Sequence, residues 1–503
     1  MEERLHSIES LLTETNKMLH ALMNKQQLQV PVDLTLSTSV GLPTNSVDED
    51  NDQSTSFVGE TLLLAHSRKA RHDVELLLQS SPLLRNNPEV KSALDVLHSA
   101  MRHPPTTGAN LLHATSSIES TSLTPEYLPP YRTILGVVHE AQASDSIFFL
   151  IWSPFFTPSE FLQLFDQLYK SLDTCSMAIK TIVCGALHYM LCEHLTMRKI
   201  HKNSSHWWYS KRFLEFFEHC LRSYDMLSLP STENILALVF GAGHAIQKGD
   251  HASARLMVSM AYAMTQALGW HRMSDESLEQ TQAQRILFWI IYYFDKCLSL
   301  RLGRSAVLQD DDITVDYPSE PLQSNFRGWY LWFRTTIEIA SVHDSIYEQL
   351  YSPGALKHSS QQRLQYVEEL AARLDVTSKV NSEIVEETVY RRQYMSFLVG
   401  SNAVVIGCLQ TLIYRALVPP DSDMLFGLDP RCLSAARATI RSHLSMVDFT
   451  KSSKNGSAND YVSLAILNCP FTPFIVLFYA AITSPNLGDL ELLENFTKSL
   501  EVV

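Results

Sequence analysis

No C-x-x-C pair occurs in these 503 residues, and no cysteine precedes Cys175. Zinc modules need several close thiolates or imidazoles, so a zinc ribbon or finger within this sequence is excluded. The eight cysteines sit mostly among Leu, Ile, Met and Phe, where a thiol serves as a small buried hydrophobe. The opening MEERLHSIES has no apolar h-region, so it does not read as a signal peptide, and the sequons at Asn203 and Asn495 are expected to go unused. No H-E-x-x-H and no G-x-S-x-G is present, and no alternating β-branched run is long enough to demand a sheet. Basic charge is also short: 40 Lys and Arg stand against 54 Asp and Glu, a net −14. A surface that grips nucleic acid along its length is normally basic, so any DNA contact must be local or come from a segment not in hand.

What is present is oil in helical spacing. Hydrophobic residues make up 45% of the chain and charged residues 19%, which suits a thick globular core. One run, Leu464 to Thr483, has the length of a membrane span, but Asn468, Pro470 and Pro473 interrupt it. A Pro-broken turn leading into a buried helix over Phe474–Ile482 is the expected reading, and no membrane partner is expected.

Residues 1–28 place Leu5, Ile8, Leu12, Thr15, Leu19 and Leu22 at alternating spacings of three and four, the seam of a short dimerising coiled coil. The alternative is an amphipathic helix docked on its own domain. Residues 29–128 read as linker and half-ordered arm. Pro31, Pro43 and the acidic run Asp48–Asp52 come first, then short helical pieces such as Glu60–Leu78 and Glu89–Met101 between prolines.

The main body, 129–503, reads as one large all-α domain of packed helical hairpins. Thr157-Pro158-Ser159-Glu160 is a capping box with proline in the first turn. Helices are expected over Thr174–Leu195, Ser231–Lys248, Ala252–Leu268, Leu278–Leu300, Trp329–Leu350, Ser360–Val380, Glu383–Ala416 and Pro430–Thr450. Gly249 and Gly269 should take left-handed caps, with Asp250 starting the second helix of the hairpin between them. The stretch RILFWIIYYFDKCLSLRL is apolar on nearly every side and must be enclosed.

Chemistry is thin. Asp310-Asp311-Asp312 resembles a magnesium-binding aspartate run, but the next acid, Asp316, falls one residue late and no second metal motif follows. His188, His194, His201 and His206 cluster in sequence without zinc spacing. Arg198, Lys199, His201 and Lys202, followed by Trp207-Trp208-Tyr209 and Lys211-Arg212, form a basic aromatic stretch, read as a helix C-terminus with a partly buried aromatic cluster. Gly241 and Gly243 in VFGAGHAI read as close-packing helix positions. Arg285 and Asp295 border the buried helix, and are expected to hydrogen-bond to backbone and to each other in a structural role. No catalytic, cofactor-binding or metal-ligating residue is assigned.

The order of several motifs resembles the middle homology region of fungal binuclear zinc-cluster transcription factors. Asn234–Ile246 with Gly249-Asp250-His251-Ala252 is similar to that family's first hairpin. Ala254-Arg255-Leu256 and Ala261–Leu268, then Gly269-Trp270-His271-Arg272, are similar to its alanine-rich element, with Trp270 in place of the usual leucine. Arg285, Phe288, Trp289, Tyr292, Asp295 and Gly303-Arg304, then Asp312-Ile313 and Pro318, are similar to the next; Ser305 stands where the family usually has proline.

The resemblance implies a nuclear transcriptional regulator of fungal genes, such as a metabolic or biosynthetic set, and not an enzyme. This chain would be the regulatory and dimerisation portion without its zinc-cluster DNA reader. No cofactor is expected here, zinc belonging only to the missing cluster. Implied partners are a homodimer or heterodimer through Leu5, Ile8, Leu12, Leu19 and Leu22, a small-molecule effector and the transcription machinery, with DNA only through an upstream cluster or a partner. A coiled coil starting so near Met1 favours a truncated start. The alternatives are a non-DNA-binding adapter that dimerises with an intact regulator and, more remotely, a helical metal-dependent enzyme using Asp311 and Asp312.

Overall fold

The computed structural model describes residues 127–500 apart from 145, 202–203, 226, 274–280, 322–323, 418–427, 453–457, 467–471 and 484–485. The coiled-coil seam, the linker and most of the arm therefore lie outside the described residues. Within them every regular element is helical.

The described residues open with α1 (Tyr131–Ala143), α2 (Ile147–Trp152) and α3 (Pro158–Lys170). The capping box at α3 forms as its sequence demands: Thr157 accepts from the Glu160 amide while the Glu160 carboxylate takes the Thr157 amide. Next come α4 (Met177–Met197), α5 (Ser205–Arg222), α6 (Thr232–Gln247) and α7 (His251–Ala267). Gly249 joins α6 to α7 at φ 67°, and Asp250 caps α7 by accepting from the Ser253 amide. Gly241 is a close-packing position, since a Cβ there would sit 2.6 Å from Leu221 and from Met257. Gly243 is not, because its nearest neighbour, Phe294, would be 3.7 Å away.

The apolar helix α8 (Gln282–Leu302) and its neighbour α9 (Arg327–Ile346) stand between two cores. The N-terminal core gathers Phe161, Phe165, Phe213, Phe217, Phe240 and Phe288. The C-terminal core is built from α10 (Ser360–Glu383), α11 (Arg392–Arg415), α12 (Pro430–Ser452), α14 (Thr472–Thr483) and α15 (Leu487–Leu500), with the short α13 (Ala458–Tyr461) before α14. α9 belongs to both: Ile337 and Ala340 face the first core, Ile339 and Val342 the second.

Two of the expected helices change. The single helix read from Glu383 to Ala416 is broken, because residues 384–391 turn away and Arg391 sits at φ 56° before α11 begins. The turn includes the β-branched Ile384, Val385, Thr388 and Val389, which have low helix propensity, and Thr388 bonds its own Ile384 carbonyl. The basic aromatic stretch is not one helix C-terminus. Arg198 ends α4, while Trp207 to Arg212 lie in the first turns of α5. The helix expected over Phe474–Ile482 is present as α14 and is buried from Phe474 to Ala481, with a wide helical turn over Val462–Ile466 ahead of it.

α11 is itself long and apolar enough to cross a membrane, yet 67% of its apolar window is buried against neighbouring helices. Its glycines explain the fit. A Cβ at Gly400 would meet Met446 Sδ at 2.3 Å, and one at Gly407 would meet Thr439 Oγ1 at 2.4 Å, so α11 and α12 approach along two glycine notches. A tighter notch is Gly328, where a Cβ would lie 2.8 Å from Thr388 Cβ and 2.9 Å from its Cα. Backbone cannot rotate out of the way as a side-chain tip can. Gly328→Ala should therefore destabilise by about 1–3 kcal/mol, read as a lower denaturation midpoint; an unchanged midpoint would show that the 384–391 turn gives way freely.

Candidate functional site

The motif residues meet along one stripe of α8. The helix ends because Gly303 takes φ 62°, its amide bonding the Leu300 carbonyl and the Arg304 amide reaching the Ser299 carbonyl at 3.0 Å. This is the Schellman geometry that a glycine permits at no steric cost. The chain then reverses, and residues 304–319 run back along the helix they have just left.

Polar groups spaced three or four apart on α8 hold that connector. Near the helix start, Gln282 exchanges two hydrogen bonds with the Ser319 backbone, at 3.0 and 3.3 Å. Arg285, fully buried, donates to the Asp316 carbonyl at 3.4 Å and lies 3.6 Å from its carboxylate. Trp289 donates its indole N–H to the same carbonyl at 3.1 Å and stacks on Tyr317 at 4.6 Å. Tyr292 donates to Asp310 at 3.2 Å.

The tightest grip is on Leu308. Asp295 Oδ2 accepts from the Val307 and Leu308 amides, both at 2.8 Å. Lys296, 1% exposed, donates to the Leu308 carbonyl at 2.8 Å, to Asp310 at 2.9 Å and to the buried Asp344 on α9. Two adjacent side chains thus hold both backbone groups of one residue.

The second motif joins from α7 and the turn after it. Arg255 donates to Ser299 at 3.1 Å and to the Ser305 carbonyl at 2.6 Å, with its guanidinium 3.8 Å from Asp295 Oδ1. The His271 carbonyl accepts from the Thr314 and Val315 amides, and Arg272 pairs with Asp312. Asp295 therefore meets Arg255, not Arg285: ten residues of helix put the two motif residues ~15 Å apart. Arg304 contributes through its backbone at the turn.

Sequence reasoning singled out Arg285, Trp289, Asp295, Gly303 and Arg304 but missed Lys296, Asp344 and the full part played by Arg255. A lysine directly after an aspartate inside an oily helix was the available signal, since a buried cation demands a partner.

Three of the connector's four acids each face a different cation. Asp310 goes to Lys296, Asp312 to Arg272 and Asp316 to Arg285. They do not converge, and among the described residues no three His, Cys, Asp or Glu side chains are placed to hold a metal ion. The histidines also separate: His188 bonds the Ser210 carbonyl at 3.0 Å, while His194 lies 3.7 Å from Glu140.

Electrostatics fit a clamp. Burial opposes the charge on Lys296, but the Asp344 and Asp310 carboxylates more than offset this and hold its pKa above the usual lysine value. The Arg272 guanidinium keeps Asp312 below the ordinary aspartate range. Burial pushes Asp295 up to about 6, against the pull of the two amides, Arg255 and Lys296. A pKa raised on folding makes stability fall as pH rises, because the folded form holds the proton longer. This contribution is fully present below pH ~4 and lost by pH ~6–7, on the order of 3 kcal/mol in all. Asp295→Asn removes the titration, so the variant should gain on the parent by about 2 kcal/mol between pH 4.5 and 7.5. Parallel stability–pH curves for the two would contradict this.

Residues 146–379 match the sequence profile of the fungal specific transcription factor domain. The chain is 25% identical over 266 residues to an ABC-transporter-regulating transcription factor of Aspergillus oryzae, across 49% of this chain and 28% of that one. It is 30% identical over 131 residues to an Aspergillus fumigatus protein of the same description, across 24% and 14%. To an uncharacterized transcriptional regulatory protein of Schizosaccharomyces pombe it is 23% identical over 279 residues, across 50% and 41%. The matched stretch spans less than half the length of each of these relatives. No solved structure matches the chain.

Proposed function

We propose, from the match of residues 146–379 to the fungal specific transcription factor domain, that the chain is the regulatory portion of a transcriptional regulator, with DNA reading supplied from outside these 503 residues. The observation that carries the reading is the convergence of the family-like motifs on the α8 connector, where Arg255, Arg272, Trp289 and Asp295 are spent on holding backbone or a paired charge. That division suits a module that presents or restrains activity rather than one that turns over a substrate. The proposed setting is the nucleus, and the proposed partners are the transcription machinery and a small-molecule effector.

The test is a fusion of the full chain to an unrelated DNA-binding domain, read on a reporter carrying that domain's sites. The expected result is a several-fold change in transcription in either direction. No change over the DNA-binding domain alone would contradict the proposal.

Dimer formation through Leu5, Ile8, Leu12, Leu19 and Leu22 is part of the same proposal. A seam residue turned to lysine places charge in a buried core. Leu12→Lys with Leu19→Lys should halve the mass measured in solution, and an unchanged mass would end the idea. The adapter that dimerises with an intact zinc-cluster regulator is the alternative reading. It expects no specific DNA retention by the isolated chain and retention once an intact zinc-cluster partner is added.

A further inference from the structure

Three of the eight cysteines, far apart in sequence, gather at one end of the α4–α5 pair. Cys175 sits in the turn before α4, Cys184 two turns into that helix, and Cys220 in the last turn of α5. All three are free thiols. Cys184, His188 and Cys192 lie on one stripe of α4, and Ser210, Phe217 and Cys220 on one stripe of α5. The two stripes meet in a single antiparallel register. His188 Nδ1 lies 3.0 Å from the Ser210 carbonyl and 3.0 Å from its hydroxyl, and Cys192 Sγ lies 3.1 Å from that hydroxyl. A Cβ on Gly185 would stand 3.0 Å from the Phe217 ring, so the helices close up where the glycine leaves room. One turn further along α5, the same register brings Cys184 against Cys220, and the Cys184 thiol donates a hydrogen bond to the Cys220 sulfur. Elsewhere a thiol meets oxygen instead: Cys432 donates to the Thr411 carbonyl at 3.5 Å.

Depth and charge distinguish the sulfurs. Cys175 is 5% exposed, between the exposed Thr174 and Ser176, while Cys220 is 1% exposed and Cys184 0%. The cluster is sealed from bulky reagents, and Cys220, in a terminal turn, is opened by fraying more readily than mid-helix Cys184. The hydrogen bond from Cys184 outweighs burial and, with the Lys180 ammonium, holds the Cys220 pKa below the usual thiol value. Donating that bond, together with burial, pushes Cys184 well above it. Cys220 is thus the more readily ionised sulfur, and Cys184 the thiol beside it. Among the described residues the trio does not form a metal set. Oxidation is the chemistry left to two thiols in contact.

We propose that Cys184 and Cys220 are a peroxide-sensitive dithiol, oxidised to a disulfide that staples α4 to α5. The Cys220 thiolate attacks one oxygen of hydrogen peroxide and the O–O bond breaks. The sulfur becomes a sulfenic acid, and the departing hydroxide takes up the proton that Cys220 lost and leaves as water. The Cys184 sulfur then attacks the sulfenic sulfur, and the Cys184 proton leaves with the sulfenic hydroxyl as a second water. Two electrons pass from the two thiols to one peroxide, and a dithiol reductant returns them. The modification stands apart from the transcriptional reading and holds or fails independently of it.

The experiment uses the full chain, freshly reduced and treated with hydrogen peroxide. Remaining thiols are alkylated in denaturant, and unreduced peptides are mapped by mass spectrometry. The Cys184–Cys220 cross-link should be the first disulfide to form, roughly tenfold or more faster than any other pair, and a dithiol should reverse it. In denaturant that preference should vanish, because the helix register no longer holds the pair together. Met197, 50% exposed, gauges the dose. Absence of the cross-link by the time about half of Met197 is sulfoxide would overturn the proposal, as would a first disulfide between other cysteines. Cys175→Ala tests the choice of sulfur from the edge of the cluster and should leave the cross-linking rate within about twofold of the parent. Loss of the cross-link in that variant would make Cys175 the sulfur that meets peroxide and overturn the assignment to Cys220.

Discussion

Lys296→Met should cost about 3–5 kcal/mol of unfolding free energy, because it leaves the Asp344 carboxylate buried without its cation. Lys296 is 1% exposed and Asp344 5%, so water cannot step in for either partner. The lysine also satisfies the Leu308 carbonyl and faces Asp310, so its loss loosens the connector as well as the α8–α9 contact. For a domain whose whole margin is typically 5–15 kcal/mol, that is a large share. The measurement is the denaturant midpoint at constant slope. The double variant Lys296→Met with Asp344→Leu should be the less damaged of the two, since it removes both charges from the interior. A single variant within 1 kcal/mol of the parent would show that the pair contributes little to stability.

Phe288→Ala should cost a similar ~3–5 kcal/mol, for a different reason. Phe288 is fully buried where α8 meets the N-terminal core, edge-on to Trp289 at 5.6 Å. Removing the ring leaves a cavity that the surrounding helices fill only in part. The loss should appear in full at every pH, in contrast to the pH-dependent effect at Asp295. A Phe288→Leu variant should retain most of the stability, because the void is smaller. Equal losses for the alanine and leucine variants would argue against simple cavity formation.

How far the sequence foretold this arrangement follows from which forces act locally. Helix ends at Thr157, Gly249, Asp250, Gly269 and Gly303 were readable because each depends on one residue's hydrogen bonding or left-handed preference. The enclosure of α8 was readable because a helix with apolar residues all round has nowhere else to go. The break at 384–391 was missed although its β-branched residues were a local hint, because propensity is a weak signal and the close approach of Thr388 to Gly328, 60 residues away, is a tertiary contact. The helices α1, α2, α5 and α15 were not singled out either; α5 was merged into a reading of the basic stretch as a helix end. At the connector, the motif residues were legible as a set, and their partners were not. Nothing local assigns Asp295 to the Val307 and Leu308 amides or pairs Lys296 with Asp344 across 48 positions. Spacing gave the stripe on α8, but the return path of residues 304–319 is a tertiary fact.

The central claim is that residues 304–319 are clamped to a buried helix and serve the fold. Hydrogen exchange at the Val307 and Leu308 amides tests it most directly. Val307 is itself 38% exposed, so burial of its side chain cannot account for slow exchange. With both amides held by Asp295, exchange should occur only through large-scale opening, roughly ten-thousandfold slower than in an unstructured chain. Rates within tenfold of the unstructured value would contradict the clamp and return the connector to a free loop.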